Sequence, residues 1–347
     1  MFGQGLRKDG AVRRAATVHL VNPMINACGG SENRTVQLYH LLSRQAETHV
    51  WSEHRVDAHL ESRLPIRRIR PFLRRYPRGG NLVFVGCYFR IGDWLRHATP
   101  ERVIGLYNTQ DAANLDQFMR ILRRHDIDSR CEMVYASQWL HRRTGLPGVV
   151  HVSPIDLAAF SCPAEVAGAA VPRPFTIGRM SRDVADKHHP DDAALYAWHA
   201  QAGGAVKVMG GLVLRQHLDR HENIQLLPAG SAPPMDFLHG IDCFFYRTDP
   251  GFFEPFGRVV VEAMACGLPV VCGAHGGYRE FIEHGRNGFL FESNEEARQI
   301  IARLGSDRAL GEAVGAAARR TVEEMYSERR MSEMASFYVK PAPAEAP

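Results

Sequence analysis

Two glutamates stand eight positions apart in a segment whose residue types suit the binding of an anionic ligand. Glu254 lies in the loop GFFEPFG, and Glu262 lies in the apolar stretch RVVVEAMAC that follows it. Pro255 and Gly257 favour the opening of a helix here, so Glu262 is expected on that helix, about two turns from Glu254. The N–H groups of Phe256 and Gly257 at the helix start, with the positive end of the helix dipole, predict an anion-binding site.

Two cations follow another apolar stretch, in the segment TIGRMSRDVADKHHPDD at residues 176–192. A strand is expected to end at Gly178, which places Arg179 and Lys187 in the loop after it. A guanidinium fork and an ammonium point charge at the carboxyl end of a strand are suited to gripping a diphosphate. Arg182 is an alternative to Lys187, and a charged loop that only contacts water is the alternative to both.

A third candidate site is the segment NPMINACGGSE at residues 22–32, between the first predicted strand and the first predicted helix. Gly29 and Gly30 have no side chains, so the backbone can approach a ligand closely. The N–H groups at the start of the following helix can face a phosphate. Taken alone, a pair of glycines in this position is a weak signal.

These motifs together resemble glycosyltransferase family 4, a group of retaining enzymes with the GT-B architecture. The resemblance rests on Glu254 and Glu262 with seven residues between them, on GLPVV after them, and on Gly276, Gly277 and Glu280 in the pattern GG-x-x-E. It covers almost every motif position within residues 251–292. The resemblance implies an α/β fold of two Rossmann-like doubly wound domains that face each other across a cleft.

The resemblance also implies roles for the motif residues. In the family, the residue matching Glu262 holds the ribose hydroxyls of a nucleotide-sugar donor, and the residue matching Glu254 contacts the donor sugar. The amides matching Phe256 and Gly257 approach the diphosphate or the sugar. A glycine-rich loop after the first strand lies near the donor phosphates and the acceptor.

An Arg–Lys pair in the family binds the donor diphosphate and stabilises the leaving nucleoside diphosphate. Here the pair is Arg179 and Lys187, whose eight-position separation is longer than in many members. The implied catalytic residues are Glu254, Arg179 and Lys187. The implied donor-binding residues are Gly29, Gly30, Gly178, Arg179, Lys187, Glu254, Phe256, Gly257 and Glu262.

One family feature is missing from the first half of the chain. Many members carry a histidine beside the donor sugar after an N-terminal strand, whereas this chain reads GLYNTQDAANLDQF there. Asn108, Gln110 or Asp111 takes that position, and Gln110 or Asp111 is a candidate to touch the donor sugar or the acceptor. A helix cap before Ala112 is the alternative role.

An arginine-rich segment, RLPIRRIRPFLRRYPRGG, is a candidate surface for anionic lipid headgroups or a lipid-diphosphate acceptor. Each basic residue near an anionic membrane contributes about 1 kcal/mol of attraction. Arginines on a protein surface that only contact water are the alternative. The arginines of this segment are Arg63, Arg67, Arg68, Arg70, Arg74, Arg75 and Arg78.

The elements that must position these residues alternate between strands and helices, which is typical of parallel sheets covered on both faces. Strands are predicted in the first half at residues 17–21, 48–51, 81–85, 103–107, 132–136 and 149–153. Strands are predicted in the second half at residues 175–177, 206–209, 224–227, 243–246, 269–272 and 288–291.

This pattern predicts two domains and a C-terminal extension. An N-terminal acceptor-side domain is expected over residues 1–160, and a linker rich in Pro, Ala and Gly over 161–174. A C-terminal domain that binds the nucleotide sugar is expected over 175–325. Residues 326–347 are predicted to form a helix that packs back on the N-terminal domain and ends in a frayed tail.

Composition excludes several classes of protein. A chain of 347 residues with 45% hydrophobic residues suits two folded domains, and a net charge of +4 does not indicate a nucleic-acid partner. Seven cysteines without a CxxC pair, and histidines without metal-ligand spacing, indicate neither a disulfide framework nor a metal site. With no signal peptide and no long apolar run, we expect a cytoplasmic protein, peripheral at the inner face of the membrane if the arginines bind lipid.

The function predicted from the sequence is therefore retaining, metal-independent transfer of a sugar from a UDP- or GDP-sugar to a glycan or lipid-linked acceptor, without a cofactor. Family habits suggest cell-envelope or exopolysaccharide biosynthesis. The alternative from another class is a catalytically silent partner subunit that binds a nucleotide sugar. A phosphorylase would need a lysine for pyridoxal phosphate that no segment suggests, and a dehydrogenase would need an early GxGxxG that is absent.

Overall fold

The computed structural model describes residues 17–160, 173–218 and 221–342. The predicted linker over 161–174 lies outside the described residues except for its last two positions, and so does the end of the predicted tail, 343–347. Within the described residues the chain forms two sheets, one of seven strands and one of six, and all strand pairs in both are parallel.

The first sheet has the strand order β3-β2-β1-β4-β5-β6-β7. Its strands are β1 (Val18–Val21), β2 (Thr48–Ser52), β3 (Ile66–Arg68), β4 (Asn81–Val85), β5 (Arg102–Tyr107), β6 (Cys131–Tyr135) and β7 (Val149–Val150). Its helices are α1 (Gly30–Leu42), α2 (Ala58–Arg63), α3 (Ala112–Arg124) and α4 (Gln138–Thr144). Strand β3 was not predicted, because its three residues lie inside the arginine-rich segment and lack an apolar run.

The second sheet has the strand order β10-β9-β8-β11-β12-β13. Its strands are β8 (Thr176–Met180), β9 (Ala205–Met209), β10 (Ile224–Leu227), β11 (Cys243–Tyr246), β12 (Val270–Gly273) and β13 (Phe289–Phe291). The helices that follow in the chain are α5 (Asp192–Gln201), α6 (Arg215–Leu218), α7 (Pro234–His239), α8 (Arg258–Ala265), α9 (Asn294–Ser306), α10 (Arg308–Met325) and α11 (Glu328–Val339).

In both sheets the strand order reverses beside the first strand. In the first sheet β1 lies between β2 and β4, and in the second β8 lies between β9 and β11. In doubly wound folds, ligands bind at the carboxyl ends of the strands at this switch point. The predicted α/β class, with two Rossmann-like sheets, is confirmed, and the topology points to the ends of β1 and β8 as the place of a site.

Helices cover both faces of the central strands. Every residue of β1, β4, β5, β8, β11 and β12 is buried, as expected for parallel strands covered on both faces. Gly267, with a φ of 72°, follows the end of α8 in the left-handed conformation that commonly ends helices.

The last helix, α11, packs against the first sheet's domain. Met334, Ala335 and Tyr338 are buried in one core with residues of β1, β4 and α1. The amide of Asn81 donates to the Tyr338 carbonyl oxygen at 2.7 Å, and Arg102 donates to the Phe337 carbonyl oxygen at 2.9 Å. A further core joins residues from both domains, so packing as well as the chain connects them.

Two further observations concern the described part of the chain only. No helix there combines the length and the apolar character needed to cross a membrane. Its six cysteines are free thiols, and Cys162 lies outside the described residues.

Candidate active site

The loop that carries Glu254 is held against a second turn by two glycines. The Gly277 N–H donates to the Glu254 carbonyl oxygen at 2.7 Å, and a Cβ atom at Gly277 would lie 2.1 Å from the Pro255 carbonyl oxygen. Gly257 has a φ of 84°, and a Cβ atom there would lie 2.7 Å from the Tyr278 ring. Both positions therefore require glycine, and they set where Glu254 and the start of α8 lie.

The carboxylate of Glu254 forms an ion pair with Lys187 that is little exposed to water. Lys187 Nζ lies 2.7 Å from Glu254 Oε2, the Tyr246 hydroxyl donates to the same oxygen at 2.8 Å, and the paired side chains are 10% and 16% exposed. Lys187 Nζ also lies 3.8 Å from the centre of the Phe252 ring. Burial raises the pKa of Glu254, but Lys187 and Tyr246 outweigh it and hold that pKa below its usual value. Glu254 is therefore ionised at neutral pH.

Arg179 lies inside strand β8, which corrects the prediction that it stands in the loop after that strand. Its side chain is 0% exposed. Its guanidinium donates to Asp192 Oδ2 and to the Arg247 carbonyl oxygen, both at 2.9 Å, and also to the Lys187 carbonyl oxygen. Arg179 thus fixes the loop that carries Lys187, while its charge is balanced by Asp192 from α5.

Gly178 was predicted to end its strand, but it lies inside that strand. Strand β8 continues past it to Met180, and a Cβ atom at Gly178 would lie 2.6 Å from the Ile241 side chain. The absence of a side chain there allows close packing inside the domain rather than an approach to a ligand. The loop at the end of the strand therefore begins two residues later than predicted, at Ser181.

Arg182 is the cation of this loop that is available to a ligand. In the described part of the chain its guanidinium has neither a hydrogen-bond acceptor nor an ion-pair partner within bonding distance. Burial raises the pKa of Glu32 and the nearby charge of Arg182 opposes that rise; the same charge also lowers the pKa of Glu254. Arg182 therefore lies near a carboxylate of each domain, where the two switch points meet.

Glu262 lies on α8 at the boundary between the domains. It is 6% exposed, and its Oε1 accepts from Arg258 Nε at 2.8 Å. Burial raises the pKa of Glu262, and Arg258 opposes that rise. Arg258 also donates to the carbonyl oxygen of Pro154 in the first domain, at 3.0 Å. The N–H groups at the start of α8, from Gly257 onward, have no acceptor within the helix, because the first turn of any helix lacks one.

The other residues predicted to bind the donor lie after β1 and just before α8. Gly29 precedes α1, and a Cβ atom there would lie 2.1 Å from Glu32 Oε2, so Gly29 leaves room for the Glu32 carboxylate. Gly30 borders open space. Phe256 is 7% exposed and packs against the Phe281 ring, so only its backbone is offered to a ligand.

The three residues in place of the family histidine have separate environments. The Asp111 side chain accepts a backbone N–H at the start of α3 at 2.9 Å, so it is the helix cap. Gln110 reaches the other domain: its Oε1 accepts from the Phe253 N–H at 2.6 Å, and its Nε2 donates to the Gly251 carbonyl oxygen at 3.3 Å. Asn108 Oδ1 is buried and has no hydrogen-bond partner among the described residues.

Sequence reasoning missed a second contact between the domains. Glu280 accepts from the N–H groups of Gln138 and Trp139 at the start of α4, at 2.9 and 2.8 Å. The Trp139 and Phe253 rings stack at 3.7 Å with 14° between their planes. Glu280 ends a short 3-10 turn. Its partners are more than 140 positions away in the chain, and only the GG-x-x-E spacing marked it.

No group of three or more His, Cys, Asp or Glu residues in the described ranges is arranged to hold a metal ion.

Part of the chain matches a known family in sequence. Residues 214–321 match the profile of the family described as glycosyl transferases group 1, a stretch that contains Glu254, Glu262 and Glu280. Over 92 residues the chain is 37% identical to a sucrose synthase from Solanum tuberosum. That stretch is 25% of this chain and only 11% of the sucrose synthase, so the similarity is to one part of a much longer protein.

Solved structures resemble nearly the whole chain. Anabaena Alr3699/HepE, solved in complex with UDP and glucose, has a TM-score of 0.73 at 17% identity, covering 93% of this chain and 98% of that one. WaaG, a glycosyltransferase involved in lipopolysaccharide biosynthesis, has a TM-score of 0.65 at 12% identity, covering 92% and 99%. The fold is that of the GT-B glycosyltransferases.

Replacing Lys187 with Met should change how the free energy of unfolding depends on pH. The lowered folded-state pKa of Glu254 contributes stability that is fully present above the ordinary value near 4.5 and is lost as the pH falls through the lower folded-state value. We expect Lys187→Met to lower the free energy of unfolding by roughly 3 kcal/mol at neutral pH, because Glu254 loses its buried partner. In urea denaturation, the difference in the free energy of unfolding between variant and wild type should shrink as the pH falls below the pKa of a free glutamate side chain.

The matched control is Arg286→Met, which removes the cation of an ion pair that is exposed on both sides. It should change the free energy of unfolding by less than about 1 kcal/mol at any pH. A Lys187→Met effect that stays constant with pH would show that Lys187 does not act through Glu254.

Proposed function

We propose that this protein is a glycosyltransferase that moves a sugar from a nucleoside-diphosphate sugar to an acceptor hydroxyl. The observation that carries the proposal is the Glu254–Lys187 ion pair beside the start of α8, at the switch point of the second domain. The match of residues 214–321 to glycosyl transferases group 1, and the GT-B fold, support it. The assignment to glycosyltransferase family 4 is part of the proposal.

The nucleotide is proposed to lie along α8. Arg258 occupies Oε1 of Glu262, which leaves Oε2 to accept hydrogen bonds from the ribose hydroxyls. The diphosphate then lies over the first turn of α8, where the N–H groups of Gly257 and Arg258 point at it. Arg182 supplies the positive charge that was first assigned to Arg179. A UDP-sugar is the first candidate, because the HepE structure holds UDP; a GDP-sugar is the second.

The sugar is proposed to lie between Glu254 and the first domain. Because Lys187 keeps Glu254 ionised, its carboxylate accepts hydrogen bonds from sugar hydroxyls and does not deliver a proton to the leaving group. Asn108 Oδ1, buried and unpartnered within the described chain, is suited to accept from another hydroxyl on the opposite side. Gln110 and Asp111 are engaged elsewhere, by the other domain and by α3.

Arg182 and the dipole of α8 stabilise the negative charge that develops on the leaving diphosphate. Such preorganised groups stabilise charge most effectively in a cleft that contains little water. This arrangement makes a metal ion unnecessary, and metal-independent transfer is part of the proposal. Retention of the anomeric configuration is proposed from the resemblance to family 4. The contacts of Gln110 and Glu280 across the cleft exclude water and so limit hydrolysis of the donor.

The acceptor is proposed to be a glycan or a lipid-linked saccharide bound by the first domain, in cell-envelope or exopolysaccharide biosynthesis on the cytoplasmic side of the membrane. The structural likeness to WaaG supports this class of acceptor. Contact with an anionic membrane through the arginine-rich segment belongs to the same proposal. A silent partner subunit is less favoured, because the Glu254–Lys187 pair is intact.

Glu262→Ala should abolish nucleotide binding. UDP at about 100 times its Kd should stabilise the wild-type fold by about 2.7 kcal/mol, seen as a rise in Tm, and the variant should show no rise. The control is Glu312→Ala, which removes the glutamate of an exposed Arg–Glu pair with the same helical spacing. UDP, GDP, ADP and TDP sugars are screened in parallel. A wild-type fold that responds to none of them contradicts the proposed donor site.

Glu254→Gln should separate sugar transfer from nucleotide binding. The variant should bind UDP like wild type but release UDP from its UDP-sugar about 100-fold more slowly, because an ionised acceptor is lost beside the sugar. Released sugar, examined by NMR before it equilibrates, should keep the anomeric configuration of the donor. An inverted product contradicts retention, and binding without any turnover in wild type favours the silent subunit.

A further inference from the structure

The loop between Arg70 and Arg75 presents apolar side chains directly to solvent. Pro71–Leu73 form a single 3-10 turn that follows the carboxyl end of edge strand β3. Phe72 is 101% exposed and Leu73 is 59% exposed, and Phe72 is the most exposed large hydrophobic residue of the described chain. A phenylalanine with this exposure protrudes from the surface that the described residues form.

The backbone of this loop is fixed in a way that keeps Phe72 pointing outward. The Arg70 N–H donates to the Arg75 carbonyl oxygen at 2.7 Å, and the Arg75 N–H donates to the Arg70 carbonyl oxygen at 3.1 Å. Pro71 restricts φ at the start of the turn, and Arg74 ends it in the left-handed conformation with a φ of 53°. The loop is therefore closed on itself at its base, and its apex is preorganised.

Positive charge surrounds this apex on both sides. One hollow of about 720 Å³ is lined by Trp51, Ile66, Arg67, Arg68, Arg70 and Arg75. A second hollow of about 450 Å³, lined in part by Arg74, Arg78 and Arg96, lies on the other side and has Phe72 in its wall. Asp93 is the one acidic residue among the residues that line the two hollows. The two hollows thus offer guanidinium groups on either side of an apolar tip.

Within the described residues, the guanidinium groups around the two hollows that have no hydrogen-bond, ion-pair or aromatic-ring partner are those of Arg70, Arg74, Arg75 and Arg96. The other arginines of the segment are engaged. Arg68 pairs with Glu61 at 2.6 Å, and Arg67 and Arg78 lie over the Trp51 and Tyr76 rings. Arg63 instead donates to Asn33 on α1. Burial and the charge of Arg258 lower the pKa of Arg63, which places it toward the cleft.

We propose that this surface docks on an anionic lipid bilayer, with Phe72 and Leu73 entering the boundary between headgroups and acyl chains and the flanking arginines binding lipid phosphates. An apolar tip with a basic surround is the composition that interfacial membrane binding requires. The combination of protruding tip and two arginine-lined hollows fits a soft, uniformly anionic surface better than a shaped protein groove. The inference extends the membrane contact of the proposed function and gives it an apolar anchor.

The test uses the full chain and sedimentation with vesicles of phosphatidylcholine alone or mixed with phosphatidylglycerol. Wild type should bind the mixed vesicles and not the neutral ones, and Arg74→Gln with Arg75→Gln should weaken binding and reduce its dependence on salt. Phe72→Ser with Leu73→Ser should lower the partition coefficient about tenfold or more. Val213→Ser, which changes an apolar residue that is 41% exposed in the second domain, is the matched control and should have no effect.

A second measurement distinguishes insertion from surface attraction. In Phe72→Trp, fluorescence should be quenched by brominated acyl chains beyond the level of wild type. If wild type and the Phe72→Ser, Leu73→Ser variant bind equally, the apolar anchor is overturned. If the folded wild type does not bind phosphatidylglycerol vesicles at low salt, membrane docking is overturned and an acidic protein partner is favoured. No donor sugar is present, so either failure leaves the proposed sugar transfer standing.

Discussion

The contact between two glycine turns constrains everything else in the cleft. With no side chain at Gly277, the turn before Glu280 approaches the Glu254 loop closely enough to form a 2.7 Å backbone hydrogen bond. With a left-handed Gly257, the same loop turns directly into α8 and leaves the helix start uncovered. The carboxylates of Glu254 and Glu262 and the N–H groups of α8 therefore have fixed relative positions before any ligand arrives, which lowers the cost of ordering them during a reaction.

The first domain holds both of these turns from the opposite side. Gln110 bonds the backbone of Gly251 and Phe253, immediately before Glu254. Glu280, at the end of the second turn, accepts the first N–H groups of α4, which also satisfies donors that the helix itself cannot satisfy. The contacts that join the domains across the cleft therefore also position Glu254. A chain in which the two domains separate would lose the contacts on both turns together.

The sequence predicted well those features that depend on local pattern. The succession of strands and helices along the chain follows from apolar runs separated by helical patterns, and the end of α8 follows from Gly267, whose left-handed conformation is a local property. Arg179 was misplaced because a strand boundary shifted by two residues exchanges a loop position for a buried one. Its counter-ion, Asp192, lies on the next helix and gave no signal in the motif itself. The contacts of Glu280 and Gln110 join residues more than 140 positions apart, and no local pattern encodes such a pairing.

Hydrogen–deuterium exchange of the purified chain with and without UDP tests most directly whether the ligand is held where both domains meet the glycine turns. With UDP bound, we expect slower exchange in the same experiment at residues 251–262 and 276–280 of the second domain and at 108–111 and 137–139 of the first. Glu262→Ala should show none of these changes. UDP binding that leaves the exchange of all four segments unaltered, or that slows exchange only elsewhere in the chain, would contradict this expectation.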